Sequence, residues 1–380
     1  LIAASALTVD YLLNVAVSVT AGVAAIASAF PVLWSYRVAL SLGLLFVITI
    51  INLRGLREAG SLMAIPVYLF LFTYIPMLAY GVIRALIDGP GTLVAVAPPP
   101  TAPLTLFLLL HTFSTGCTAL TGIEAISNGV PAFQPPEAKN AGRTLIVMAV
   151  LMGVLFLGSV GLTQYLAVVA GSQETILSAL ARRLLGSGPA YLLIQSCTML
   201  ILVVAANTSF AGFPRLAAIL AGDGFLPRQL TSLGDRLVFT NGILILAVAG
   251  GALVFAFNGD THALIPLFAI GAFLAFTLSQ AGMVVHWWRE RGKGWWLKSI
   301  VNGVGALATT MTVVVVVISK FIEGAWITVF IIPIFVAVFL RVRAHYQEVA
   351  RQLSMDGLPP SLKPVPIQRI VVPISGVHRG

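Results

Sequence analysis

The sequence predicts an all-α polytopic membrane protein. Hydrophobic residues make up 58% of its 380 positions and charged residues only 9%, and its mean hydropathy of +0.99 lies far above the range of soluble globular domains. Its apolar stretches reach about 20 residues or more, the length at which a helix crosses a hydrocarbon core about 30 Å thick. Such lengths favour membrane-spanning helices over the shorter, alternating strands of a membrane barrel.

Polar residues, prolines and glycines divide the chain into ten candidate spans. The predicted spans are residues 2–30, 37–53, 61–84, 104–131, 144–170, 189–221, 238–257, 262–287, 299–319 and 324–341. Eleven basic residues lie in one alternate set of connections, five in the other, and six in the tail that starts at Arg341. Because basic residues accumulate on the cytoplasmic side, we expect a multi-pass protein of the cell membrane whose C-terminus is cytoplasmic.

The composition changes after residue 341, which divides the chain into two predicted parts. Residues 1–341 form the transmembrane domain, whereas residues 342–380 are polar and rich in proline, as is typical of a linker. Near its end, the run from Ile370 to Ile374 resembles the opening strand of a cytosolic domain. Because the first residue is Leu1 rather than methionine, we expect the chain to be a section of a longer protein.

Several classes of function are disfavoured by what the sequence lacks. Motifs of serine hydrolases, zinc proteases and P-loop enzymes are absent, so we expect no enzyme and no cofactor. The +9 formal charge is spread between apolar spans without a basic, aromatic patch, which argues against nucleic acid. Cys117 and Cys197 both lie in apolar stretches and are interpreted as small buried residues.

Asp10 is one of only two acidic residues inside predicted spans; the other eleven of thirteen fall in loops, span ends or the tail. A carboxylate at mid-membrane costs about 2.5–3.5 kcal/mol on insertion scales, and such residues usually face a cavity or a substrate pathway. Asn14 and Ser18 follow at four-residue steps, which puts all three on one helix face. Hydrogen bonds between helices explain Asn14 and Ser18 equally well, but explain Asp10 less well.

Glu124 is the second acidic residue within a span, in the stretch LTGIEAISNGVPAF at residues 120–133. Thr118 and Thr121 precede it at helical spacing, and two glycines and a proline weaken the helix. A broken helix that lines a cavity exposes carbonyl oxygens suited to cations. The alternative is an ordinary helix end at the membrane surface.

Asn207, Thr208 and Ser209 form a third polar cluster within a span. Hydroxyl and amide groups among small residues are typical both of helix packing and of a lined pathway. Both interpretations stay open for this cluster.

Four stretches together resemble the APC superfamily of amino acid, polyamine and organocation transporters, most closely its KimA-like potassium importers of the KUP group. TALTGIEAISNGVPAFQPPEAKNAGRTL (118–145) resembles the sixth helix and the loop after it, and ALTVDYLLNVAVSVTAGVAAIASAFP (6–31) resembles the third helix. AANTSFAGFPRLAAILAGDGFLPRQL (205–230) resembles the eighth helix, and RIVVPISGVHRG (369–380) the first strand of a cytosolic domain. The resemblance implies a LeuT-like inverted-repeat fold in which the ten spans are helices three to twelve, and in which two earlier helices and a cytosolic domain lie outside this chain.

The resemblance also implies a potassium site. Its residues here are Asp10, Tyr11, Asn14, Ser18, Thr121 and Glu124, with potassium held by Asp10, Glu124 and Thr121 and the pathway lined by Thr118, Asn207 and Thr208. Asn14 departs from the threonine expected at its position.

The function that the resemblance implies is proton-coupled potassium uptake by alternating access, and it also suggests a homodimer embedded in the lipid bilayer. Glu124 is assigned to carry the proton, since a carboxyl between Ile123 and Ala125 is poorly solvated. The first alternative is an amino acid permease of the same fold, although a zwitterion does not require two carboxylates within the membrane. The second is a membrane sensor or scaffold, in which the polar stripes only join helices.

Overall fold

The computed structural model describes residues 1–55, 60–89, 105–117, 122, 126, 129–130, 133–171, 173–232, 234, 239–292 and 294–353. Every regular element in these ranges is helical. The α-helices are α1 Ile2–Ala29, α2 Arg37–Leu53, α3 Gly60–Asp88, α4 Leu106–Cys117, α5 Glu137–Tyr165, α6 Ile176–Leu185, α7 Pro189–Gly222, α8 Thr240–Ala256, α9 Thr261–Glu290, α10 Trp295–Lys320 and α11 Trp326–Gln352.

Helix length and composition confirm a protein that crosses the membrane several times. Within the described residues, eight helices are long and apolar enough to cross a membrane. Two shorter apolar helices, α4 and α8, fall inside the predicted spans 104–131 and 238–257. The all-α class is therefore confirmed, while a total of ten spans stays a prediction.

Three helices differ from the predicted spans because hydropathy detects the membrane rather than the helix. The α5 helix begins at Glu137. Its polar first turns precede the apolar run that was expected from residue 144. Beyond the predicted limit of 341, α11 continues as a polar helix to Gln352. No span was predicted at α6, which has ten residues and is amphipathic, too short to cross a bilayer.

The α1 helix is the centre of the bundle. Seventeen of its 28 residues are buried, and it packs against α2, α7, α8, α9 and α11. By contrast, only two of the 29 residues of α5 are buried among the described residues. Both predicted buried thiols, Cys117 and Cys197, are buried and free.

Glycine allows α9 to approach α1 very closely at the level of Asp10. A Cβ atom added to Gly271 would lie 3.3 Å from the carbonyl oxygen of Ala6 and 3.3 Å from the backbone nitrogen of Asp10. Small residues at such crossings let helix backbones meet in a membrane. The polar positions of α1 are consequently enclosed by neighbouring helices.

A polar network fixes the far end of α1 to α6 and α7. The Arg182 guanidinium donates to the backbone oxygen of Ser28 at 2.9 Å and to the Tyr191 hydroxyl at 3.0 Å, and it forms an ion pair with Glu174 at 3.2 Å. Ser178 shares a hydrogen bond of 2.7 Å with Tyr191. A cation at the C-terminus of a helix also stabilises its dipole, so Arg182 serves as a cap supplied by another element.

Candidate functional site

Asp10 lies in the middle of the packed region of α1, where its exposed fraction is 1%. Its neighbours along the helix, Val9 and Tyr11, are also buried, and Gly271 of α9 lies against its backbone. An ionised carboxylate at such a place is unfavourable without compensation by polar groups, a cation or a proton. The position therefore has the property expected of a cation or proton site.

Asn14, one turn further along α1, contacts the predicted third polar cluster on α7. Its amide nitrogen donates to the Ser209 hydroxyl at 2.7 Å, and lies 3.5 Å from the Thr208 hydroxyl and 3.4 Å from the backbone oxygen of Ala205. In turn, the Ser18 hydroxyl donates to the amide oxygen of Asn14 at 3.3 Å. The structure thus brings Asn14 of the α1 stripe together with Thr208 and Ser209 of the α7 cluster.

Asn207, the remaining member of that cluster, turns to a different helix. Its side-chain oxygen accepts a hydrogen bond of 2.7 Å from the amide of Asn52 at the end of α2, and the same Asn52 amide donates to the backbone oxygen of Ile48 at 2.9 Å. No pattern in the sequence predicts a role for Asn52. Its only signal is an amide in the last turn of an apolar helix.

These contacts bear on the two interpretations of the polar residues. Hydrogen bonds between helices account for Asn14, Asn207 and Ser209 without any transported ion, and Ser18 bonds to Asn14 within α1. Within the described residues, the amide oxygen of Asn14 accepts one side-chain hydrogen bond, the 3.3 Å bond from Ser18. Whether these residues bind an ion stays a prediction.

Tyr11 packs into the core between α1, α2, α7 and α8 with an exposed fraction of 7%. Its ring lies across Gly212 of α7, where an added Cβ would come within 2.5 Å of Cζ and 2.7 Å of the hydroxyl oxygen. Sequence reasoning did not select Gly212, because nothing in the local pattern shows which ring it faces. The close contact between Tyr11 and Gly212 fixes the side chain of Tyr11, the residue that follows Asp10 in the chain.

The second half of the predicted site, Thr118, Thr121 and Glu124, lies outside the described residues. Gly122 has φ of +101°, a conformation that glycine adopts readily and other residues rarely. A backbone break at Gly122 agrees with the glycine interpretation made from the sequence.

A large apolar cavity lies beside this break. It has a volume of about 1040 Å³, and its lining includes Gly122, Tyr74 and Ser159, the last two joined by a hydrogen bond of 2.8 Å. Helices α3, α5 and α6 supply most of its walls. Asp10 and Asn14 do not line this cavity.

Buried polar groups on a central helix of a multi-pass, all-α membrane protein are typical of the transporter class. The family comparison is specific: the amino acid permease model matches residues 1–340. This chain therefore belongs to the amino acid permease family.

Two curated relatives extend the comparison. Over 99% of its length the chain is 44% identical to the potassium transporter KimA of Bacillus subtilis (strain 168), of which it covers 62%. Over 68% of its length it is 25% identical to the low-affinity putrescine importer PlaP of Escherichia coli (strain K12), of which it covers 57%. The chain thus spans about three fifths of the length of the curated relatives that it matches. Both are transporters, in agreement with the lack of an enzyme motif.

Proposed function

We propose that this chain forms the membrane part of a secondary active transporter that takes up potassium together with protons by alternating access. The observation that carries the proposal is the burial of Asp10 on the most enclosed helix. A carboxylate in that position is explained best by a cation or a proton that enters and leaves. The 44% identity to a potassium transporter favours potassium.

In the proposed site, oxygen atoms replace part of the water shell of potassium. Asp10, Thr121 and Glu124 hold the ion, Tyr11, Asn14 and Ser18 complete the site, and Thr118, Asn207 and Thr208 line the pathway. The hydrogen bond from the Asn14 amide to Ser209 supports this arrangement, because it engages the amide nitrogen and leaves the amide oxygen, which contacts Ser18, as the atom that can face the ion. Glu124 carries the proton, and alternates between a protonated and an ionised form during the cycle.

The finer architecture is part of the same proposal. It comprises ten spans in a five-plus-five inverted repeat, a transmembrane domain at 1–341, a cytosolic part at 342–380 with a cytoplasmic C-terminus, and a homodimer. The continuation of α11 to Gln352 means that a helix crosses the proposed boundary at 341.

The test is potassium or rubidium uptake by proteoliposomes that contain the full-length protein, driven by an inward proton gradient. We expect Asp10→Asn to reduce uptake at least about ten-fold, since the neutral amide removes the charge that offsets potassium dehydration. Asp223→Asn is the matched control, because Asp223 is exposed just after α7. Equal uptake by the two variants would contradict the proposal.

An organic cation or an amino acid is the second candidate substrate. The family model and the putrescine importer among the relatives favour it, and a carboxylate on α1 also suits an amine. Counterflow in the same proteoliposomes separates the candidates. Exchange of labelled putrescine or amino acid, without rubidium exchange, would replace potassium as the substrate.

A further inference from the structure

The turn between α9 and α10 gathers an unusual share of the tryptophans. Four of the six in the chain, Trp287, Trp288, Trp295 and Trp296, lie in or beside this turn. Both flanking helices are long and apolar enough to cross a membrane, so the turn between them lies at the membrane surface. Tryptophan is enriched at that depth, which by itself accounts only for anchoring.

Two cations lie against these rings. The Lys298 ammonium is 4.3 Å from the centroid of the Trp287 ring. The Arg291 guanidinium carbon is 5.8 Å from the ring centroids of both Trp288 and Trp295, which meet edge to face at 5.7 Å. Arg291 occupies the left-handed C-cap position of α9, with φ of 45°.

Arg291 and Lys298 both carry a positive charge at the exposed surface of the turn. Across the described ranges, neither Arg291 nor Lys298 forms an ion pair with a carboxylate; the nearby Glu290 pairs with the His286 Nε2 atom at 3.4 Å. A ring face attracts a cation but accepts little of its hydrogen-bonding capacity. Both side chains are exposed, and their N–H donors therefore remain available for an anion.

An exposed apolar surface continues directly from the cations along α10. Leu297, Ile300, Val301 and Val304 are exposed by 53–63%. A free phosphate ion gains nothing from contact with an apolar surface. The acyl chains of a phospholipid, by contrast, can lie along this surface while the headgroup occupies the turn. The combination of donors for an anion and an adjoining apolar face fits a phospholipid.

We propose that the α9–α10 turn is a binding site for an anionic phospholipid, whose phosphate contacts Arg291 and Lys298 and whose acyl chains pack along the outer face of α10. The planar guanidinium of Arg291, which lies near two tryptophan rings, can form two parallel hydrogen bonds to phosphate oxygens. Lys298, held over Trp287, supplies a second charge. This site is separate from the proposed potassium site and does not depend on which substrate is carried.

The test uses the clustered tryptophans as reporters. The full-length protein is reconstituted in phosphatidylcholine vesicles that contain either brominated phosphatidylglycerol or brominated phosphatidylcholine, and quenching of tryptophan fluorescence gives the relative affinity of the two lipids. One basic residue near an anionic surface contributes about a five-fold preference. We expect a preference of at least that size for phosphatidylglycerol, reduced several-fold in Arg291→Gln and retained in part in Arg291→Lys.

Arg183→Gln is the matched control, because Arg183 is an exposed basic residue on α6 and its loss removes the same charge elsewhere. If Arg291→Gln fails to fold, Lys298→Gln tests the same site with the same expectation. Equal lipid preference in the wild-type protein, the turn variants and the control would overturn the proposal. Loss of the preference on addition of millimolar inorganic phosphate would also overturn it, since the site would then select a free anion.

Discussion

At the scale of single residues, some members of the candidate site can be predicted from their spacing in the sequence, whereas others are identified only by their contacts in the structure. Asp10, Asn14 and Ser18 were selected because four-residue spacing puts them on one helix face. Asn14 and Ser18 are indeed hydrogen-bonded to each other. Asn52 and Gly212 were missed because their importance lies in partners far away in sequence. Periodicity describes one helix at a time and cannot identify the neighbour that each face meets.

Gly212 provides a prediction about stability at this scale. We expect Gly212→Ala to lower the free energy of unfolding by about 1–3 kcal/mol, the usual cost of excess volume in a packed core, because the added methyl overlaps the Tyr11 ring. Thermal denaturation of the detergent-solubilised protein measures the change. The control is Gly282→Ala in α9, where an added Cβ meets nothing within 4 Å. Equal melting temperatures for the two variants would show that α1 and α7 adjust freely at this contact.

At the scale of helices, contacts between α1 and α7 connect the candidate site to the rest of the bundle. Asn14 of α1 bonds to Ser209 and Asn52 of α2 bonds to Asn207, so two residues of α7 that are two positions apart hold two different helices. Hydrogen bonds between membrane helices contribute on average about 0.6 kcal/mol, with a maximum near 1.7. Their main effect here is to set the rotation of α7 around its axis.

A double-mutant cycle tests this connection. We expect Asn14→Ala and Ser209→Ala to lower stability separately, and the double variant to be less destabilised than the sum of the two by about 0.6 kcal/mol, because the shared bond is lost only once. Unfolding in mixed micelles provides the three free energies. Strict additivity would mean that the 2.7 Å contact contributes nothing to stability.

The observed helices also show why hydropathy predicts the membrane spans but not every helix. Ile2–Ala29 and Arg37–Leu53 agree with their predicted spans because each consists of apolar residues over nearly its full length. The short α6 was missed because its polar side, including Arg182 and Arg183, lowers the hydropathy of any long window. The start of α5 at Glu137 was missed for a similar reason. A polar first turn stabilises the start of a helix but is not recognised as part of a membrane span.

At the scale of the whole molecule, the end of α11 is joined to the connection between α7 and α8. The backbone N–H of Arg228 donates to the Tyr346 hydroxyl at 3.2 Å, and the Arg228 guanidinium lies 5.2 Å from the centre of that ring. Nearby, the Arg343 guanidinium is 4.6 Å from the ring of Phe225. The segment after residue 341 is therefore packed on the bundle as far as these contacts extend.

These contacts predict that the chain tolerates removal of its tail at one place and not at another. Truncation after 353 keeps Arg343 and Tyr346, so the melting temperature should stay within about 1 °C of that of the untruncated protein. Truncation after 341 removes both residues and should lower the melting temperature by several degrees. About 1 kcal/mol of stability corresponds to a shift of roughly 2–4 °C in chains of 150–250 residues. Tyr346→Phe, which removes only the acceptor hydroxyl, should fall between the two because the ring still faces Arg228. Thermal unfolding followed by fluorescence measures all three in the same detergent. A protein truncated after 341 that melts like the full-length chain would show that the membrane bundle ends at the boundary predicted from composition, and that the last turns of α11 belong to the linker.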